Sequence, residues 1–269
     1  MYAGTTVGKK SGHIIGVHQR IDRIARRHIT PLLPDTLNFP KIADVLYFEG
    51  NNGPDGIKRK SPSKDEPWHY IDPTKPQDRA LIDMILDHQV NLATALKKKN
   101  YERASFETAW MAHAIVDGLT PAHHFPLADK IEELFGMPHT ERQTIREKNV
   151  IKGDNRRDTL SKNWKYWGKH GIFINHIMFE FGVASVILGQ SFRNKIVHDE
   201  DIALLEAKGY ETVFRDILKS VMSLRTYERY TNKGWDRQLG KDVQKELVPL
   251  IVKGVVLGWY AAVLDMRKK

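Results

Sequence analysis

Between residues 110 and 124 the chain reads WMAHAIVDGLTPAHH, and most of its chemistry is concentrated there. His113 and Asp117 are four residues apart. On a helix that spacing puts both side chains on one face, one turn apart, so both can grip one metal ion. Gly118 can end the helix and Pro121 stops its continuation. The chain must then turn, which returns His123 towards the same helix end. Imidazole and carboxylate donors close together suit zinc.

A second pair repeats the spacing. His176 and Glu180 lie in the run INHIMFEF, among Ile172, Ile174, Ile177, Met178 and Phe179. A glutamate in so apolar a helix is costly unless paired or metal-bound. Two such pairs on apolar helices are a pattern of metal sites in helical bundle cores, with a buried His–Glu ion pair as the plainer alternative for the second. His18 and His28 fall on an arginine-rich helix and read as surface or supporting residues. His88, His139, His170 and His198 have no partner that the sequence assigns, and His124 is read behind His123.

The elements that must position these residues are helical. Ile14, Val17, Ile21 and Ile24 recur at three- and four-residue steps with arginines between them, which predicts an amphipathic helix. Further helices are expected over about 81–92, 101–119, 171–188, 211–230 and 242–268. Alternating strand patterns are scarce. The expected fold class is all-α, a bundle of about seven to nine helices. Residues 50–76, with the run Lys58-Arg59-Lys60, and 154–169, with Trp164, Tyr166 and Trp167, read as loops. No linker or repeat divides the chain, so a single domain over 1–269 is expected.

Composition sets limits. The chain has 269 residues, no cysteine and 12 histidines, which excludes disulfides and thiolate metal sites but leaves His/Asp/Glu sites open. A net charge of +9 is compatible with anionic partners: phosphates, nucleic acid, or peripheral contact with an anionic membrane. The first residues lack the apolar core of a signal peptide, so a cytoplasmic location is the expectation, with export by another route left open.

The pattern His113-x3-Asp117-x3-Pro121-x-His123 is similar to the signature of zinc-dependent phospholipases C, whose trinuclear zinc fold is shared by fungal single-strand nucleases. His176-x3-Glu180 resembles that family's later His-x3-Glu pair. The element Trp68-His69-Tyr70-Ile71-Asp72-Pro73 resembles the segment that carries another histidine ligand, and Asp55, fourteen residues before His69, looks like the first acidic ligand. Asp44, 25 residues before His69, is the alternative. His13 opens a helix as the family's first histidine does, with Asp22 nine positions on.

The resemblance implies a multi-helix bundle of the zinc-dependent phospholipase C type holding two or three zinc ions. Asp55, His69, His113 and Asp117 would form one site. His123, His176 and Glu180 would form a second. His13 and Asp117 would serve a third, with the N-terminal amine as a further donor. It also implies phosphodiester hydrolysis by a metal-bridging hydroxide, with Asp55 as the residue orienting the attack. The substrate would be a phospholipid headgroup or, alternatively, a single-stranded nucleic acid or nucleotide. A non-catalytic helical metalloprotein is the remaining reading, and the oligomeric state is not readable.

Overall fold

The computed structural model describes residues 16–49, 52–58, 69–124, 127–138, 141–169 and 171–268. In chain order the helices are α1 (Val17–Ile29), α2 (Ile42–Tyr47), α3 (Pro54–Lys58), α4 (Ala80–Lys97), α5 (Tyr101–Gly118), α6 (Leu127–Phe135), α7 (Ile145–Asn149), α8 (Arg156–Trp167), α9 (Ile172–Ile187), α10 (Asp199–Ser223), α11 (Thr226–Lys233), α12 (Arg237–Asp242) and α13 (Val248–Arg267). The protein is an all-α helical bundle. Nine of these helices run for eight residues or more. The described residues contain one isolated bridge, Ile71 with His124.

The centre is α13. Its residues Val248, Ile251, Val252, Val255, Val256 and Trp259 are fully buried, and it packs against α1, α4, α5 and α10. A Cβ at Gly254 would stand 2.5 Å from Leu119 Cδ1, and one at Gly258 would stand 2.8 Å from Ile115 Cδ1. The two glycines therefore let α13 lie close against the end of α5 that carries His113 and Asp117. The Trp259 indole N–H donates to the Thr108 carbonyl at 2.9 Å and fixes the register of the two helices.

Helix α5 starts at Asn100, whose side chain accepts from the Arg103 amide. It ends at Gly118, and Pro121–His123 then forms a 3-10 turn. Three expectations need correction. Residues 154–169 are mostly helix α8, because Asn155 caps it by accepting from the Asp158 amide. The polar side chains read as a loop lie instead on a helix face. Residues 54–58 of the expected long loop form α3. The helix expected over 211–230 is the part of α10 beyond Gly209, whose φ 76° and ψ 167° break the helix, and it ends at Ser223, where Arg225 takes φ 50° before α11 starts. A second, smaller hydrophobic cluster of Ile131, Phe135, Ile151 and Tyr166 lies among α6 and α8.

Candidate metal centre

Asp117 sits at the meeting point of four histidines. Its Oδ2 is 2.6 Å from His69 Nδ1 and 3.3 Å from His113 Nε2. Its Oδ1 is 3.3 Å from His18 Nε2 and 3.5 Å from His123 Nε2. All five side chains are buried. Tetrahedral zinc with bonds of about 2.0–2.1 Å separates its ligand atoms by roughly 3.3 Å, close to the spacing of Asp117 from His18, His113 and His123, whereas the 2.6 Å contact with His69 is a hydrogen bond.

Each residue arrives on a different element. His113 and Asp117 come from α5, as the four-residue spacing requires. His123 comes from the turn after it, where the His123 carbonyl accepts from the Ile71 amide at 3.2 Å. That contact ties the segment carrying His69 to the same turn. Asp55 comes from α3, and its Oδ1 lies 3.8 Å from His113 Nε2. A Cβ at Gly53 would stand 2.9 Å from Glu49 Cα. Glycine there lets the chain fold against the end of α2, so that Glu49 and Asp55 both approach His113. Asp72, in the same element as His69, serves its own turn by accepting from the Thr74 amide and hydroxyl.

Three groups have donor atoms close enough to share an ion: Asp55, His69 and His113; His123, His176 and Glu180; and His18, His113 and Asp117. The first two join residues that the sequence placed together. His13 lies outside the described residues, as do Trp68, Arg59 and Lys60. Asp44 is exposed on α2 and belongs to none of the groups.

The second group gives the sharpest test of whether a cation fits. His123 Nδ1–H donates to the His69 carbonyl at 2.8 Å, and His176 Nδ1–H donates to the Ala122 carbonyl at 3.1 Å. A carbonyl can only accept, so each Nδ1 carries its proton and each ring turns its Nε2 inward. Both Nε2 atoms face Glu180 Oε1, at 2.9 Å from His123 and 2.7 Å from His176. Burial drives the His123 pKa down to about 3, so its ring is neutral. Two imidazole nitrogens and one carboxylate oxygen converging in a buried place form a donor set that suits a zinc-type ion.

The first group is buried as well but more strongly charged. His113 Nε2 is buried and makes no hydrogen bond. Burial favours the neutral ring, but the Asp117 and Glu49 carboxylates prevail and raise its pKa well above the ordinary value. Asp117 is held well below its ordinary value despite burial, by His123 and His113. Asp55 is lowered in the same way, by His113 and His69 against burial. Asp55 is also the group's opening to solvent, with its side chain about one third exposed at 34%.

Two residues escaped the sequence reading. His18 is 1% exposed and stacks on His113, with ring centroids 3.9 Å apart and planes 5° from parallel. Its signal was available: His18 and Asp22 repeat the His-x3-acid spacing of the other two pairs on the buried face of α1. Glu49 is fully buried, and its Oε2 lies 3.3 Å from His113 Nδ1. No spacing rule points to it. The remaining described histidines have structural partners: His28 the Phe192 carbonyl, His88 the Glu107 carboxylate, His124 the Gly118 carbonyl, and His198 the cap of α10, while His139 and His170 lie outside the described residues.

No protein-family model matches the chain, and no curated protein matches its sequence. Among solved structures it is similar to the alpha-toxin of Clostridium perfringens from an avian strain, with a TM-score of 0.59 at 15% identity. That alignment covers 97% of this chain and 66% of the toxin chain, so the chain spans just under two thirds of the toxin's length. The likeness is one of fold. It places the helical bundle beside a protein with which little sequence is shared.

Proposed function

We propose that the chain is a zinc-dependent phosphodiester hydrolase of the phospholipase C type, acting as one catalytic domain over residues 1–269. One observation carries this reading: two inward imidazole Nε2 atoms meet the Glu180 carboxylate, beside a second cluster built on Asp117. The fold likeness to the alpha-toxin and the motif resemblance support it. Asp55, His69, His113 and Asp117 would hold one zinc, and His123, His176 and Glu180 another. His18 with Asp117 would supply donors for a third, a role the motif resemblance assigns to His13. When bound, zinc supplies Lewis acidity towards a phosphoryl oxygen and lowers the pKa of water to near neutrality.

The chain's own residues do the rest. Asp117 holds the two groups at a fixed separation by contacting histidines of both. The carbonyls of His69 and Ala122 keep His123 and His176 in the tautomer that presents Nε2. Asp55, partly open to solvent, can keep one carboxylate oxygen off the ligand set to orient an attacking water. The buried walls, Ile71 and Ala122 among them, exclude bulk water from the inner donors.

The substrate we favour is a phospholipid headgroup diester, because the second group ends in glutamate, the phospholipase form of the motif. The test compares turnover of a choline phospholipid in mixed micelles, single-stranded DNA and a simple aryl phosphodiester, each with and without chelator. Chelator-sensitive turnover of the phospholipid above the other two is expected. Preference for DNA would move the function to a nuclease. No turnover of any of them by zinc-loaded protein would refute hydrolysis.

A further inference from the structure

Helix α9 has two apolar faces and only one of them is packed. Its inner face buries Phe179, Val183 and Ile187 together with His176 and Glu180. The Phe179 ring stacks on Trp235 at 5.5 Å, which clamps that side. On the outer side Met178 is 48% exposed, Phe181 58% and Leu188 53%. Ile177, Phe181 and Leu188 fall at steps of four and seven, so they form one stripe along the helix. Monomeric proteins seldom leave such a row to water without a use for it.

Helix α8 continues the pattern. Leu160 and Trp164, four residues apart, are 72% and 73% exposed. They are set in a helix with four cations, Arg156, Arg157, Lys162 and Lys165, and one acid, Asp158. Lys169, just beyond its end, is exposed as well. The two helices meet at a rigid corner, where Phe173 stacks on Tyr166 at 5.3 Å and meets Trp167 edge-on at 4.6 Å.

We propose that the outer faces of α8 and α9 form a docking surface for an anionic phospholipid bilayer. Exposed Trp and Leu surrounded by Arg and Lys are the composition of a helix lying in the interface, apolar side down and cations at the anionic headgroups. Helix α9 has 16 residues, fewer than the roughly 20 that span a bilayer, and its inner face holds a polar site. It therefore lies on the membrane and does not cross it. A second copy of the chain fits poorly, since a twofold contact would set Arg156, Arg157 and Lys165 against themselves. A nucleic acid would use the cations and Trp164 but leave Leu160, Phe181 and Leu188 wet. The bilayer uses all of them. Because His176 and Glu180 sit on the opposite side of the same helix, docking brings the headgroup layer to within one helix diameter of the site.

The choice of lipid as partner rests on the hydrolase reading, but its test is independent of turnover. The full-length protein is cosedimented with vesicles of phosphatidylcholine alone and of equimolar phosphatidylcholine and phosphatidylserine, with chelator present. Hydrolysis of a soluble short diester is measured separately without chelator. Binding to the anionic vesicles that weakens with salt is expected. Leu160→Ser with Trp164→Ser, and separately Phe181→Ser, should each reduce it by on the order of tenfold. Arg156→Glu with Arg157→Glu should abolish the preference for phosphatidylserine. The soluble diester rate should stay at the wild-type value in all of them. Vesicle binding that is absent, or equal in wild type and variants, overturns the docking surface even if the diester is hydrolysed. Vesicle binding without hydrolysis of the diester leaves the surface standing and removes the enzymatic reading. A dimer in light scattering that Phe181→Ser dissociates would show the face to be a contact between copies and overturn the proposal.

Discussion

Glu49 Oε2 stands 3.3 Å behind His113 Nδ1, while the Nε2 of the same ring faces Asp117 and Asp55. A carboxylate behind a metal-facing histidine fixes its tautomer and raises its basicity, and removing such a partner lowers metal affinity by about 10- to 100-fold. Glu49→Gln keeps an acceptor and loses the charge, so it should weaken zinc binding about tenfold. Glu49→Ala should approach a hundredfold. Competition titration against a chromophoric chelator measures both. Unchanged affinity in both variants would show Glu49 to be a packing residue.

Asp22, 1% exposed, has neither oxygen in a hydrogen bond. Burial and the Glu49 charge raise its pKa well above the ordinary carboxylate value. The unfolded chain releases this proton near pH ~3.9, whereas the folded chain keeps it. Above that pH the folded state binds more protons, so stability falls as pH rises until the folded-state pKa is passed. Asp22→Asn matches the shape of the neutral carboxyl and does not titrate. The Tm of the chelator-treated variant, minus that of wild type, should therefore rise between pH 4 and pH 7. A difference independent of pH would contradict a protonated Asp22.

His18 belongs to the group with His113 and Asp117. His18→Asn should reduce bound zinc by one equivalent and leave the ion at His123, His176 and Glu180 in place. Elemental analysis after gel filtration decides it. Wild-type zinc content would make His18 a stacking partner of His113 and no more.

The competing acidic ligands separate cleanly. Asp55 lies beside His113 and Asp44 is exposed on α2. Asp55→Asn should lower diester turnover by roughly a hundredfold or more if it orients the attacking water. Asp44→Asn should leave turnover within experimental scatter. The reverse ranking would assign the role to Asp44.

Which parts of this were readable in the chain follows from the range of each interaction. The His113/Asp117 and His176/Glu180 pairs were legible because helix periodicity alone sets which side chains share a face. His69 and Asp55 were legible through their motif resemblance. The joining of His123 to His176 and Glu180 was expected only by analogy, since the loops and helices between them leave no local signal. His18 was missed because the arginines around it read as a solvated face, whereas Arg20, Arg26 and Arg27 reach backbone carbonyls of Gln190, Pro40 and Ser191 and leave the inner face to His18 and Asp22. Helix α8 was misread because charged and aromatic residues on an exposed helix resemble a loop when no packed face gives them a period. Glu49 had no signal at all, since only the packing of α2 against α5 brings it to His113.

The central claim is that side chains of α3, α5, α9 and the turns between them hold metal, and zinc per chain tests it directly. Protein purified without added metal is analysed by elemental methods, as wild type and as Asp117→Asn. About two to three zinc ions per wild-type chain are expected, with the variant losing those around Asp117 and retaining the one at His123, His176 and Glu180. Less than one zinc per wild-type chain, with a Tm that chelator does not change, would contradict the account.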